Sequence, residues 1–250
     1  MNNIQLSKRL NAACEMVSSK SRVADVGTDH GFVPIYLMEN HIAEHVVAMD
    51  VNEGPLERAT IHVKEYGFEN EIDIRLSDGL KELLPEEADT LICCGMGGLL
   101  MMRILEEGTP REKGIRHMIL QPQSDLFGFR KYLHDSKFYI EDEREIFEEG
   151  KYYTAMKAST ENGVEDPYEK AWELFQAEDS MDRERAFNIC HRFGPTLILR
   201  RDEVLKNYLE HELELCDKIL LKLSENEHSD RMRDIINKKN DISFVLSLYK

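Results

Sequence analysis

The stretch Arg22-Val23-Ala24-Asp25-Val26-Gly27-Thr28-Asp29-His30-Gly31 decides how the rest of the chain is read. A short apolar run ends in glycine, an acid and a second glycine. That pattern predicts a buried strand followed by a tight turn, with a helix over Pro34 to Asn40. Similar units recur downstream. Strands are predicted at Val46 to Asp50, Ile72 to Leu76, Thr90 to Cys94 and His117 to Leu120, with helices from Pro55 to Tyr66, Gly98 to Glu106 and Phe127 to His134. Upstream, Leu6, Leu10, Ala13 and Val17 share one helical face. Strand and helix are read as alternating five times. Such alternation predicts a mostly parallel, doubly wound sheet with helices on both faces.

The pattern changes after residue 137. Phe138 to Phe147 and Tyr152 to Ala158 read as two strands joined by a hairpin turn at Glu148-Glu149-Gly150-Lys151. The whole is an α/β fold with a seven-stranded, mostly parallel sheet closed by an antiparallel hairpin. This arrangement belongs to Rossmann-like methyltransferase sheets rather than to most nicotinamide-binding ones. Ser159-Thr160-Glu161-Asn162-Gly163 reads as a linker, giving expected domains 1–160 and 161–250. Beyond it, Leu205, Leu209, Leu213, Cys216, Leu220 and Leu223 form one amphipathic seam, and Met232, Ile235, Lys239, Ile242, Leu246 and Tyr249 form another. Joined through Glu227-His228-Ser229-Asp230, they predict an antiparallel, coiled-coil-like helical hairpin.

Of the 250 residues, 48 are acidic and 32 basic, a formal charge of −16. A surface that is basic all over is excluded, although a local basic patch is not. The hydrophobic fraction of 42% suffices for a core. The longest uncharged apolar stretch, Leu91 to Met102, is twelve residues broken by three glycines. A membrane span needs ~20 residues, so none is expected. The opening MNNIQLSKRL shows no apolar signal segment, and the five cysteines show no CxxC spacing. Reduced thiols in a cytoplasmic protein are expected. The histidines are not read as a ligand set, so no metal is expected.

In α/β sheets, ligands bind beyond the carboxyl ends of strands at the point where the strand order reverses. Asp25, Gly27, Asp29 and Gly31 stand at such an end, without the GxGxxG spacing of a dinucleotide fold. Asp29 would repel a pyrophosphate. A ligand bearing an ammonium group, such as the methionine part of S-adenosyl-L-methionine, would gain from Asp25 or Asp29. The same residues also suit a plain tight turn. Asp50, followed by Val51, lies 19 residues after Gly31, where an acid accepts from ribose hydroxyls. It equally suits a helix cap. Asp78 and Gly79 end the third predicted strand, where an acid could accept from an adenine amino group or act as a cap. Three acids at three consecutive strand tips favour an adenosine-type cofactor.

Gly95-Met96-Gly97-Gly98 is a turn of low bulk, open to a ligand's backbone contact or to a flat substrate base, or simply a packing turn. Cys93 and Cys94 read as buried strand residues. Gln121 could meet a base edge and Pro122 could wall a pocket, or both could merely end a strand. His30 could bind a base or shuttle a proton, with a structural role about as plausible. Lys8, Arg9, Arg103, Arg130-Lys131, Arg183-Arg185 and Arg200-Arg201 could touch phosphates, though each alone also suits a solvated charge.

LSKRL at 6–10, ADVGTDHG at 24–31, SDGL at 77–80, GMGG at 95–98, LQP at 120–122 and FGP at 193–195 stand in order along most of the chain. With these motifs the sequence resembles the TrmK family of bacterial tRNA (adenine-22-N1)-methyltransferases. The resemblance implies a Rossmann-like domain, a C-terminal helical domain and S-adenosyl-L-methionine as cofactor. It implies tRNA as partner, methylated at N1 of an adenine in the D-arm region. Carried over by position, Asp25, Gly27, Asp29, Gly31, Asp50, Val51, Asp78, Gly79 and Gly95 would hold the cofactor. Asp29, His30, Met96, Gly97 and Pro122 would face the reacting base. Lys8, Arg9 and Arg103 would contact RNA. Gly95 to Gly98 replaces the acidic or NPP-type motif of many other amino-methylating enzymes, so no catalytic base is assigned.

Two other readings stay open: a methyltransferase of a small molecule, with the helical hairpin as a dimer interface, and a catalytically silent cofactor-binding module. A nicotinamide oxidoreductase is disfavoured by the missing GxGxxG turn. Nothing in the sequence fixes an oligomeric state.

Overall fold

A computed structural model describes residues 4–161, 163, 165–176, 181–222 and 229–249. It divides into two compact units, Met1–Asp166 and Pro167–Lys250. The first unit contains α1 (Lys8–Cys14), β1 (Ser21–Val26), α2 (Phe32–Glu39), β2 (Ala43–Asp50), α3 (Glu53–Tyr66), β3 (Ile72–Leu76), β4 (Thr90–Cys94), α4 (Gly98–Gly108), β5 (His117–Gln121), α5 (Leu126–Asp135), β6 (Tyr139–Glu148) and β7 (Lys151–Ser159).

The seven strands lie in the order β3-β2-β1-β4-β5-β7-β6. β1 pairs in parallel with β2 and β4, β2 with β3, and β4 with β5. β7 runs antiparallel to β5 and β6. The chain thus winds outward from β1 to β3, returns to β4, and winds the other way. Helices cover the sheet, so Val23, Val46, Val47, Leu91, Ile92, Met118, Ile119 and Leu120 are buried in unbroken runs rather than in alternation.

Two expectations about this unit need correction. The alternation of strand and helix breaks between β3 and β4, where residues 77–89 form turns without a helix. The Ser77 hydroxyl donates to the Gly79 carbonyl and accepts from the Glu82 amide, which ties the segment into turns. Leu80 and Leu83 still reach the core. The supposed linker starts too early: Ser159 ends β7, paired with both His117 and Tyr139. The Thr160 hydroxyl donates to the Ile115 carbonyl at 2.6 Å. The β6–β7 turn is Glu149-Gly150, whose φ values of 48° and 77° are both left-handed. That is the two-residue geometry matching strand twist.

The second unit holds α6 (Pro167–Phe175), α7 (Arg183–Phe193), α8 (Pro195–Arg200), α9 (Glu203–Leu220) and α10 (Ser229–Ser247). The FGP motif links two of them. Phe193 is buried, Gly194 sits at φ 90° between α7 and α8, and Pro195 opens α8. α9 and α10 pack antiparallel: Lys239 reaches Asp217 near one end, and the Tyr249 hydroxyl donates to the Asp202 carbonyl at the other. Leu205, Leu209, Cys216 and Ile242 are buried along this contact, together with Val245. Ser229 and Asp230 belong to α10 rather than to the connection, while Leu223, Glu227 and His228 lie outside the described residues. Among the described residues, no helix is long and apolar enough to cross a membrane.

Candidate functional site

A cavity of about 330 Å³ opens at the carboxyl ends of β1, β2 and β4, where the strand order reverses. From β1 and its loop it takes Asp25, Gly27, Thr28, Asp29 and His30. Asp50 comes from β2, Cys94, Gly95 and Met96 from β4 and its loop, and Gln123 from beyond β5. Arg9 and Leu10 of α1 and Phe32 and Val33 of α2 complete the wall.

The β1 loop is held by backbone shape. Asp29 has φ 51° and Gly31 φ 74°, both left-handed. An added Cβ on Gly31 would lie 3.1 Å from Ala59 Cβ and 3.2 Å from its Cα, so α3 packs directly on the loop. Close approach matters again at Gly98, where a Cβ would stand 2.5 Å from the Ser124 carbonyl oxygen. Glycine there lets α4 start against the segment that follows β5.

Asp25 is 4% exposed, and its Oδ2 has no hydrogen-bond partner. Burial pushes its carboxyl up to about 7. The nearby Thr28 hydroxyl offsets part of that rise, and the Asp50 charge adds to it. Thr28 Oγ1 is buried and likewise makes no hydrogen bond. A buried carboxyl held this way wants a cation or a donor from outside the chain.

Arg9 stands in the wall of the same cavity. Its guanidinium donates to Gln121 Oε1 at 2.8 Å and lies over the Tyr153 ring at 5.5 Å. The Gln121 amide donates back to the Arg9 carbonyl at 2.9 Å. Glu148, at the end of β6, accepts from the Lys8 and Arg9 amides at the start of α1. An acid there satisfies free helix amides and pins the helix. Arg9, expected to contact RNA, lines the cavity. Gln121 was offered to a base edge but spends its amide on Arg9.

The structure places the other expected residues as follows. Asp29 is exposed, with Arg58 Nη2 at 3.4 Å and His30 Nε2 at 3.6 Å from its Oδ1. Asp50 accepts from the Asn52 amide at 2.9 Å in a local turn, while still lining the cavity; it does not cap α3, whose N-cap is Asn52. Asp78 is outside the cavity wall, with Lys81 at 2.6 Å and Arg103 at 3.3 Å. Its carboxyl is held below the usual range by the hydrogen bond from Lys81, with Arg103 adding its charge. Arg103 therefore faces an acid of its own chain. Gly31, Val51, Gly79, Gly97 and Pro122 also lie off the wall; Val51 is exposed and Pro122 buried. The Lys8 ammonium donates to the Phe147 carbonyl. Arg130 is 1% exposed and paired with Glu143 at 2.7 Å, so it cannot reach a phosphate.

Cys93 and Cys94 sit where a strand reading puts them. Burial raises both thiols, Cys94 to about 12, which leaves neither a ready nucleophile. His41 and His45 have HxxxH spacing, but His41 lies in a turn at φ 55° and His45 on β2 near Asp73, not on one helix face. Among the described residues, no group of three potential ligands could hold a metal. Thr28, Phe32 and Gln123 were missed. Phe32 was readable as the first residue after the glycine turn; nothing local marked Gln123.

Residues 6–156 match the family model described as a methyltransferase domain. The chain is 35% identical over 158 residues to the tRNA (adenine(22)-N(1))-methyltransferase of Bacillus subtilis strain 168. That match spans 63% of this chain and 66% of the relative. The solved B. subtilis m1A22 tRNA methyltransferase TrmK superposes with a TM-score of 0.78 at 26% identity, covering 97% of this chain and 99% of that one. M. capricolum TrmK, solved with the natural cofactor product S-adenosyl-homocysteine, superposes with a TM-score of 0.78 at 25% identity, covering 99% of this chain and 100% of that one. The resemblance carried by the sequence motifs is borne out. With the cavity at the reversal of a seven-stranded sheet and a family match over residues 6–156, most of that sheet unit, the chain belongs to the methyltransferase-domain family.

Proposed function

We propose that this chain uses S-adenosyl-L-methionine to methylate N1 of adenine 22 in tRNA. Likeness to proteins with that activity supports the reading, and so does the cavity's chemistry. The observation that carries it is the pairing of an unsatisfied buried carboxyl with a guanidinium in one cavity, Asp25 and Arg9. An amino acid end group, ammonium and carboxylate together, fits that pair. Asp50 would take the ribose hydroxyls, and Gly27 and Gly95 would let the backbone approach. A tRNA substrate implies a cytoplasmic enzyme.

Bound S-adenosyl-L-methionine supplies a sulfonium methyl that passes in line to the adenine N1 lone pair, the C–S bonding pair staying on sulfur. N1 needs no deprotonation first, so the chain needs no general base at that atom. Its work is positioning. Asp29, at the cavity lip, lies where a carboxylate would stabilise the positive charge growing on the base. His30, 3.6 Å from Asp29, would orient the base edge. Met96, beside Gly95 in the wall, would bound the face on which the base lies. A paired adenine must be extruded to reach this depth.

The test is transfer of labelled methyl to unmodified tRNA transcripts, followed by nucleoside analysis. Label is expected in 1-methyladenosine and should vanish when adenine 22 is replaced by guanine. Transfer to a free metabolite alone would establish the small-molecule reading instead. Cofactor binding without turnover on any RNA would favour the silent module.

A further inference from the structure

The aromatic wall of the cavity continues beyond it. His30 and Phe32 stack with centroids 5.6 Å apart and planes 14° apart. Phe32 stacks on His62 of α3 at 4.8 Å and 20°, and His62 lies 6.0 Å from His30. The three rings, their planes 14° to 32° apart, thus form one cluster, which starts in the cavity and ends on α3. It is firmly built. His62 Nδ1 lies 2.8 Å from the His30 carbonyl, which can only accept, so that nitrogen carries the proton. One residue on, the Gly31–Ala59 approach clamps the same helix to the same loop. Despite this support, Phe32 is 40% exposed.

Arg58 stands one helical turn before His62, on the same side of α3. Its contact with Asp29 is 3.4 Å, between side chains 47% and 66% exposed. Such water-exposed pairs contribute little, so an arriving phosphate can take the guanidinium at small cost. A partly exposed aromatic cluster beside an available guanidinium is what a nucleotide in an unstacked strand requires. A surface this local also suits a chain whose net charge is −16, because it needs no broad basic face.

We propose that Phe32, His62 and Arg58 dock the RNA strand immediately beside the target adenine. One neighbouring base stacks on Phe32 and His62, and its phosphate draws Arg58 away from Asp29. Binding of the correct strand then frees the Asp29 carboxylate to face the reacting base. The inference rests on the tRNA reading above and names the contact that reading leaves open.

The test compares wild type with Arg58→Gln, Arg58→Lys, Phe32→Ala and Phe32→Trp in the full chain. It reads kcat and KM for tRNA, the salt dependence of tRNA binding by fluorescence anisotropy, and thermal melting as a check on folding. Arg58→Gln and Phe32→Ala should each raise KM for tRNA roughly tenfold, with the smaller change in kcat. Arg58→Gln should reduce the slope of log affinity against log salt by about 1. Arg58→Lys should keep the slope and Phe32→Trp should keep KM, which a merely structural role would not predict. Arg58 lies on an exposed helix face, so its variants carry the test even if Phe32→Ala melts early. Wild-type methylation of adenine 22 with KM and slope unchanged in Arg58→Gln overturns the docking surface alone. A wild type that neither binds nor methylates tRNA overturns both this surface and the reading beneath it.

Discussion

Asp25 and Glu143 are both acids of the sheet unit buried out of water, at 4% and 0% exposure. They live under opposite conditions. Glu143 on β6 meets the Arg130 guanidinium of α5 at 2.7 Å, and Arg130 is itself 1% exposed. Asp25 at the end of β1 keeps an oxygen with no partner and titrates up near 7. One site is closed on itself. The other is left open, at a cost to the protein's own stability. Buried charge is tolerated inside a fold when it is matched. An unmatched one at a strand tip, inside a cavity, marks where a ligand's charge is to arrive. The two acids therefore predict opposite responses to neutralisation.

The largest effect belongs to the closed pair. Glu143→Ala leaves the Arg130 charge buried without its carboxylate, and should cost about 3–5 kcal/mol in equilibrium unfolding by urea. A loss below about 1 kcal/mol would mean the pair behaves like an exposed one, and the comparison would break. Asp25→Asn should do the reverse to the ligand-free protein. The native carboxyl titrates near 7 against an ordinary 3.8, so the folded state holds an extra proton between those values. Stability contributed by that proton is full below 3.8 and falls away as pH rises toward 7. Asp25→Asn should remove this fall and leave the protein more stable at pH 8, by on the order of 3 kcal/mol.

The gain should be paid back in binding. With the cofactor's ammonium on the ionised Asp25, as proposed, S-adenosyl-L-methionine affinity in wild type should rise up to about tenfold per pH unit below 7. Above that it should level off. In Asp25→Asn, affinity should be weaker throughout and lose most of this dependence. Calorimetric titration across pH 5.5 to 8.5, roughly centred on the expected midpoint, measures both. If the variant instead binds the cofactor as wild type does, Asp25 is only a costly core residue.

Backbone shape sharpens the contrast further. The open site is framed by a left-handed loop rather than by ion pairs, with Gly31 at φ 74° against Ala59. Gly31→Ala should therefore destabilise by about 1–3 kcal/mol through strain and contact. It should also weaken cofactor binding, whereas Glu143 variants that still fold should not. Thermal melting and calorimetry on the same preparations separate the two.

These two acids also show what was legible from sequence. Asp25 was readable because its position follows from local pattern, a run of apolar residues ending in Gly27. The same logic placed β3 and β4 at Ile72–Leu76 and Thr90–Cys94, as found. Glu143 and Arg130 were not readable. Thirteen residues separate them on different elements, and only the packing of α5 on β6 makes Arg130 a core residue instead of a phosphate contact. The contacts of Arg9 were hidden for the same reason: its partners Glu148 and Gln121 lie more than a hundred residues away in sequence. No local pattern singled out His62 and Arg58, whose places depend on α3 packing on the β1 loop. Local periodicity reports elements and strand tips; it is silent on which distant side chain meets which.

Asp78 offers the smallest and most discriminating test, because it falls between the two cases. It sits at a strand tip as Asp25 does, yet it is matched as Glu143 is, by Lys81 and Arg103. Unlike either, it is in water, and exposed pairs of this kind add little. Asp78→Asn should leave the melting temperature close to wild type at moderate salt. Its effect on cofactor binding then decides what the strand tip is for. A carboxylate already held by Lys81 and Arg103, and outside the cavity wall, should give only a slight loss in calorimetry, far less than Asp25→Asn. A loss as large as that of Asp25→Asn would mean Asp78 leaves its cations to accept from the cofactor's adenine amino group. In that event matching within the chain would not by itself mark an acid as structural, and the contrast between Asp25 and Glu143 would hold only for acids that water cannot reach.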